Sequence, residues 1–358
     1  MAQRADSGTP GAAPSRRRIS EETIAGFLAI SPWIIGFIVF TAIPFVSSFY
    51  FSFTRYDVIN PPEWIGLDNY TRLLTQDRLF PTALRNTLIY AVIYVPLNIA
   101  TSLGAAMLLH KARYMKGFFR TAFYLPAMTP AIATAYIWLV ILNANDGLVN
   151  QALRLVNLPA PGWTIDPMWT KPAIIITQIW GLGGAMIMFL AALQGVPRDL
   201  YEAAELDGAG RWERFRSVTL PMISGVTFFV ATISTIASLS VFTEGYVMFD
   251  EQGGPRHSAL FIVMYLFERA FGSGSLQMGY ASAIAWVLFV LILGSFGIQG
   301  AVSSRNEVEH LRRGVRDVRY AADAILMALV GKDKMTLWEL EAHVEAGLRR
   351  DKIGTPLA

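Results

Sequence analysis

An all-α integral membrane fold with six transmembrane helices is predicted from three observations on this 358-residue chain. The composition is 53% hydrophobic and only 16% charged, with a mean hydropathy of +0.40, far more apolar than a soluble domain. The apolar residues fall in six long blocks and not in the short alternations of strands. The basic residues collect in short connectors and at the ends, a pattern of membrane topology, so the net charge of +3 gives no case for a nucleic-acid partner.

Residues 1–25 are small, polar and basic, and are expected to form a disordered cytoplasmic arm. The apolar run that follows Arg16, Arg17 and Arg18 is much longer than the ~7–15 residues of a cleavable signal core, so it reads as a first span. Blocks near 26–53, 86–109, 122–142, 172–193, 220–243 and 279–300 each reach the roughly 20 residues that a bilayer requires. Six spans place both termini on one side. The connector 110–121 carries Lys111, Arg113, Lys116 and Arg120, and 194–219 carries Arg198, Arg211, Arg214 and Arg216. The longer connectors 143–171 and 244–278 hold only Arg154 and Lys171, and Arg256 and Arg269. The connector 54–85 is mixed. The positive-inside rule therefore puts the termini, 110–121 and 194–219 in the cytoplasm.

Pro32, Pro44, Pro96, Pro126, Pro130, Gly181, Gly183 and Gly184 lie inside the predicted spans. Neighbouring helices satisfy the backbone groups such residues free, and small residues permit close packing. Trp64, Trp163 and Trp169 on the external connectors suit an interfacial belt. Glu244, at the outer end of the fifth block, reads as an interfacial residue facing water.

Between the fourth and fifth blocks runs LYEAAELDGAGRWERFRSVTLP, Leu200 to Pro221, a polar, helix-forming stretch in an oily chain. Pro197 and Asp199 signal helix entry, Gly208 and Gly210 interrupt, and Arg211 to Val218 resume the helical pattern before Pro221. Leu200, Ala203, Ala204 and Leu206, then Trp212, Phe215 and Val218, give each short helix an apolar face. An amphipathic helix projecting into water suits a partner's groove; a resting place on its own bundle or on headgroups is the lesser alternative.

Enzyme chemistry is not legible. No G-x-x-x-x-G-K-[ST] loop occurs. His110, His257, His310 and His343 are scattered without metal-ligand spacing, and Ser273 lacks the G-x-S-x-G context of a hydrolase nucleophile. The chain has no cysteine, which excludes disulfides and thiolate metal sites. No cofactor is expected on this chain.

Glu202-Ala203-Ala204, Asp207-Gly208-Ala209, Phe215 and Leu220-Pro221 resemble the EAA loop of inner-membrane permease subunits of binding-protein-dependent ABC importers. The stretches WIGLDNYTRLL (64–74), FRTAFYLPAMTPAIATAYIW (119–138), NDGLVNQ (145–151), GGP (253–255) and GYASAIAWVL (279–288) are similar to the sugar-permease branch, which includes the maltose and glycerol-3-phosphate permeases. The likeness covers about residues 26–304. It implies a type I ABC importer permease fold in the bacterial inner membrane, whose first loop helix docks into a cleft of a separate ATPase. Glu202 would face that subunit, the alanines would let the helix sit deep, and Gly208 would make the bend. The implied partners are an ATP-binding cassette dimer that uses ATP and Mg, a second and probably different permease chain, and a periplasmic or lipid-anchored solute-binding protein.

For the solute, Thr177, Trp180, Gly181 and Gly184 share one face of the fourth span, offering a hydroxyl, an aromatic plane and open space. In the fifth span Ser234 and Ser238 lie one turn apart. Such stripes also serve helix packing. The resemblance implies that the spans flanking the EAA loop hold substrate, with Trp180 stacking on a sugar ring and Ser234 or Ser238 bonding its hydroxyls. Inward import of a sugar or polyol is the expected function; an ion-driven secondary transporter of a small polar solute is the alternative. From Arg305 the composition turns polar, and 305–358 is read as a cytoplasmic helical tail, with Thr336 and Glu339 as a capping box.

Overall fold

The computed structural model describes residues 21–301 apart from Arg113, Ser273 and Ser275. Residues 1–20 of the expected arm 1–25 and the tail 305–358, with its capping box, lie outside the described residues; residues 21–25 of that arm are helical.

Among the described residues the regular structure is helical apart from one short hairpin. Helices α1 (Glu21–Phe37) and α2 (Ile43–Ser52) join through a π turn at Ile38–Ala42 into one span. Strands β1 (Thr54–Arg55) and β2 (Glu63–Trp64) pair antiparallel, with Thr54 opposite Trp64. Then come α3 (Asp68–Thr75), α4 (Leu79–Lys111), α5 (Lys116–Tyr124), α6 (Ala131–Ile141) and α7 (Leu148–Leu155). They are followed by α8 (Thr170–Trp180), α9 (Gly183–Gln194), α10 (Arg198–Leu206), α11 (Arg211–Arg214) and α12 (Leu220–Met222). The last are α13 (Ser224–Leu239), α14 (Thr243–Phe249), α15 (Ile262–Phe271) and α16 (Met278–Ala301).

Four continuous stretches are long and apolar enough to cross a bilayer: Gly26–Ser52, Leu79–Lys111, Ser224–Phe249 and Met278–Ala301. The predicted third and fourth spans are each a bent pair. Lys116–Met128 meets Ala131–Ile141 at 99°, and α8 meets α9 at 52°. Pro126 opens a 3₁₀ turn and Pro130 precedes α6; Thr129 between them is extended, as a residue before proline must be. The other boundaries also move. Helix α1 starts at Glu21, ahead of the predicted 26, and α4 starts at Leu79, where the Asp77 carboxylate accepts the amides of Leu79 (2.8 Å) and Phe80 (3.0 Å).

Helix α4 is the hub. Its N-terminal half joins a core of Tyr90, Ile174, Phe261, Tyr265 and Ile284, and its C-terminal half a core of Leu103, Ala106, Met186, Phe189 and Val230. Polar side chains lock this packing at three levels. Asn86 Nδ2 donates to the carbonyls of His257 (2.8 Å) and Leu260 (3.1 Å), Thr87 Oγ1 accepts the Ile262 amide (3.0 Å), and Asn98 Nδ2 donates to Ser234 Oγ (2.9 Å). Each such bond spares a buried polar group the cost of going unpaired. Helix α9 comes so close to the end of α5 that a Cβ on Gly183 would meet the Phe123 carbonyl oxygen at 2.3 Å; only glycine fits there. The first span is different: Trp33 of α1 and Phe40 of the π turn are bare, and α2 touches the bundle through Phe45 and Phe49 against Trp286 at 4.9 and 4.6 Å.

One interfacial expectation is corrected. Trp163 is buried, donating from Nε1 to Asn150 Oδ1 at 2.8 Å and packing on Trp169 at 5.0 Å, so it anchors the external segment around α7 instead of lying in a belt. Glu244 is half-buried at the start of α14 and bonded to Gln178 of α8; it faces the bundle more than water.

Candidate functional site

The polar stretch folds as helix, tight turn, helix. Pro197 precedes α10, where its missing amide costs nothing, and Asp199 lies in the first turn, favourable to the helix dipole. The helix ends in a Schellman motif: the Gly208 amide donates to the Glu205 carbonyl (3.1 Å) and the Ala209 amide to the Ala204 carbonyl (2.9 Å). Gly208 holds φ +79°, a conformation open to glycine at no steric cost, and nothing lies within 4 Å of where its Cβ would be. The requirement at Gly208 is therefore conformational and not one of space. Ala204 and Ala209, the two ends of the longer bond, are both half-buried.

Beyond the bend, Gly210 caps α11 and accepts the Arg214 amide at 2.9 Å. A π turn over Phe215–Thr219 then leads into α12, with Pro221 in its first turn. Two side-chain bonds close the loop on itself and on the bundle. Arg214 Nη1 pairs with Glu205 Oε2 at 2.9 Å, joining the two arms. The hydroxyls of Tyr201 and Thr219 lie 3.0 Å apart, joining α10 to the entry of the next span. Phe215 and Val218 pack against the core around the C-terminal half of α4.

The outward side is largely exposed, with Trp212 packed on the Phe215 ring at 5.4 Å. Glu202, Ala203 and Asp207 are exposed, Leu206 is 90% exposed and Trp212 72%. Two large apolar side chains at that exposure, on a loop otherwise held rigid, make a contact surface.

The solute candidates divide. Trp180 ends α8 at 39% exposure, edge-on to Trp138 of α6 at 6.0 Å. Gly181 and Gly184 stand in the α8–α9 bend, with open space at Gly184. The three hydroxyls are engaged elsewhere. Thr177 Oγ1 donates to the Ala173 carbonyl at 3.0 Å and lies against Met248; Ser234 accepts from Asn98; Ser238 Oγ donates to the Thr235 carbonyl at 2.9 Å. The structure thus keeps Trp180 with the two glycines at one bend and places Ser234 and Ser238 in the α4–α13 side of the bundle.

Sequence reasoning missed an external polar cluster. Asp77 Oδ2 accepts the hydroxyls of Tyr265 and Tyr280, Arg269 Nε donates to the Tyr265 hydroxyl at 2.9 Å, and the Arg72 guanidinium lies 4.5 Å from the centre of the Tyr280 ring. Burial works to raise the Asp77 carboxyl, but the two tyrosine hydroxyls and the two helix amides outweigh it and hold it below its ordinary range. Burial, together with the Asp77 charge, pushes the Tyr265 phenol up. The cluster ties α3, α4, α15 and α16 together. Its members are spread over more than two hundred residues, and no local spacing announces it.

The family profile described as binding-protein-dependent transport system inner membrane component matches residues 100–308, which contain the whole loop. The chain belongs to this family. The probable ABC transporter permease protein YesP of Bacillus subtilis (strain 168) is 38% identical over 77% of this chain and 89% of its own length. The arabinooligosaccharides transport system permease protein AraP of Halalkalibacterium halodurans is 36% identical over 76% and 85%. Among solved structures, a chain of a bacterial alginate ABC transporter, crystallised in complex with an alginate pentasaccharide-bound periplasmic protein, matches with a TM-score of 0.68 at 24% identity, over 80% of this chain and 96% of that one. The fold is that of type I ABC importer permeases, and the protein is a multi-pass membrane permease subunit. The ion-driven secondary transporter alternative does not fit this family.

Proposed function

We propose that this permease carries a sugar or related polyol inward, driven by ATP hydrolysis on a separate pair of subunits. Support for the solute class comes from AraP, whose name records arabinooligosaccharides, together with the sugar-branch motifs. The loop Leu200–Pro221 and both termini face the cytoplasm, as the basic connectors indicate. The partner ATPase dimer binds ATP and Mg, a second and different permease completes the pathway, and a periplasmic or lipid-anchored binding protein delivers the sugar.

The observation that carries this reading is the glycine-dependent bend at Gly208, which holds Glu202, Ala203, Ala204 and Asp207 on a protruding arm braced at both ends. The ATPase takes up the α10 arm. Its motion passes through Tyr201 and Thr219 to the foot of α13, and from α13 through the Ser234–Asn98 bond to α4. Phe215, Leu220 and Pro221 hold the second arm at its root. ATP drives the switch only because the ATPase grips one bundle arrangement more tightly than the other.

Trp180, at the α8–α9 bend, offers the sugar a ring to stack on, with Gly181 and Gly184 leaving room. Thr177, Ser234 and Ser238 become available to sugar hydroxyls only in an arrangement that releases their present bonds. The test is purification of the tagged chain from detergent-solubilised membranes, with identification of what accompanies it. An ATP-binding cassette subunit, a sister permease and a sugar-binding protein are expected. Recovery without any ATPase, from cells that take up the sugar, contradicts the reading.

A further inference from the structure

A second feature at this end of the molecule shares Tyr201 and Thr219 with the coupling loop but is given no ligand by the transport scheme. Beneath the α10–α11 loop lies a cavity of about 470 Å³. Its floor is apolar, with Met107 and Leu193, and its rim carries His110, Lys111, Arg211 and Arg214. No acidic side chain lines it. Arg214 is paired with Glu205, but among the described residues neither Lys111 nor Arg211 has a carboxylate within ion-pair distance. An apolar pocket with a one-signed basic rim selects an anion that brings hydrocarbon with it.

The level of the cavity narrows the choice. Lys111 is the last residue of α4, and Leu193 stands next to the last residue of α9. The site therefore lies where two spans leave the bilayer, at headgroup depth on the side rich in basic connectors. Leu108, 75% exposed, is one turn before Lys111 on the same helix face and gives an acyl chain an apolar track out of the pocket. A free phosphate or nucleotide would use the rim and leave the floor and the track idle.

We infer that this cavity binds the phosphodiester headgroup of an anionic phospholipid, with Lys111 and Arg211 as the principal contacts. Basic pockets between membrane helices on the cytoplasmic side are suited to such headgroups. Because Tyr201, Phe215 and Thr219 also line the cavity, a bound headgroup clasps the loop to α4 and α9. That consequence for coupling rests on the transport reading; the binding itself does not.

The test uses the full-length chain purified in a non-ionic detergent with the partners that accompany it, titrated with phosphatidylglycerol or phosphatidylcholine and read by native mass spectrometry. The wild type is expected to retain phosphatidylglycerol in preference to phosphatidylcholine. Lys111→Gln with Arg211→Gln is expected to weaken that retention at least about tenfold. The pair Lys111→Arg with Arg211→Lys is expected to keep it, as is the charge control Arg120→Gln with Arg198→Gln, two exposed residues that do not line the cavity. Equal retention of the two lipids by the wild type overturns the inference, and so does undiminished retention by the Lys111→Gln, Arg211→Gln pair. Displacement of the lipid by inorganic phosphate assigns the site to a free anion and also overturns it. Lipid retention is read on the chain whether or not an ATPase docks, so failure here is distinguishable from failure of the transport reading.

Discussion

The hydroxyl of Tyr201 lies 3.0 Å from Thr219 Oγ1, tying the first arm of the loop bent at Gly208 to the foot of the span that follows it. Tyr201→Phe removes only that bond, worth about 0.5–1.5 kcal/mol. Sugar uptake per ATP consumed is expected to fall in reconstituted vesicles while the amount of protein in the membrane is unchanged. An unaltered ratio of uptake to hydrolysis would remove this contact from the coupling path.

At Gly208 the φ of +79° and the empty surroundings separate conformation from crowding. A left-handed backbone costs most side chains roughly 1–2 kcal/mol, and asparagine less. Gly208→Val is therefore expected to lose most uptake with normal membrane insertion, and Gly208→Asn to keep the larger part of it. Equal loss in both would mean that the position needs space and not positive φ. Glu202→Lys is expected to uncouple in the same assay, since it reverses an exposed charge on the docking arm.

The Asn98–Ser234 bond joins the C-terminal half of α4 to α13, with both side chains buried. Ser234→Ala leaves the Asn98 amide without this partner, at about 1–3 kcal/mol. Asn98→Ala and Ser234→Ala together should destabilise by less than the sum of the singles in thermal unfolding in detergent. Strict additivity would show that the bond does not join the two helices.

Trp180 stands edge-on to Trp138 at the α8–α9 bend. Trp180→Ala is expected to lower uptake and change preference among sugars, whereas ATP hydrolysis by the assembled complex stays measurable. Unchanged uptake and preference would move the sugar path away from this bend.

Asp77 supplies a pH test outside the spans. Its carboxyl is held below the ordinary value against the pull of burial, because two tyrosine hydroxyls and two amides bind the charged form. A lowered carboxyl stabilises the fold above the unfolded value, about 3.9, and that stabilisation is lost as pH falls through the folded value. Asp77→Asn is thus expected to unfold at lower temperature than wild type at neutral pH, with the difference shrinking as pH falls below about 4 and through the folded value. A difference that persists unchanged in acid would assign it to packing.

Much of this was legible in order along the chain. The six apolar blocks gave the spans, and Glu202 through Pro221 carried a bend whose bonds, Ala209 to Ala204 and Gly208 to Glu205, are all local. Local bonds are what a sequence pattern encodes. The broken third span was visible only as Pro126 and Pro130; their effect depends on what packs around Thr129. Asn98 carried no reading of its own in the sequence, because the partner that gives it a role lies 136 residues away. The Asp77 cluster, gathered from three helices and the connector before α4, had no local signal at all. Trp163 looked interfacial because it is an external tryptophan, and the buried Asn150 that captures its indole could not be read from spacing.

The central claim is that an ATPase takes hold of the loop bent at Gly208. The chain has no cysteine, so Leu206→Cys, at an exposed position on the arm, supplies a single attachment point for a short thiol-directed photo-crosslinker in native membranes. Crosslinks to an ATP-binding cassette subunit, changing in yield with ATP, are the expected result; crosslinks confined to lipid or to proteins of the outer face would contradict it.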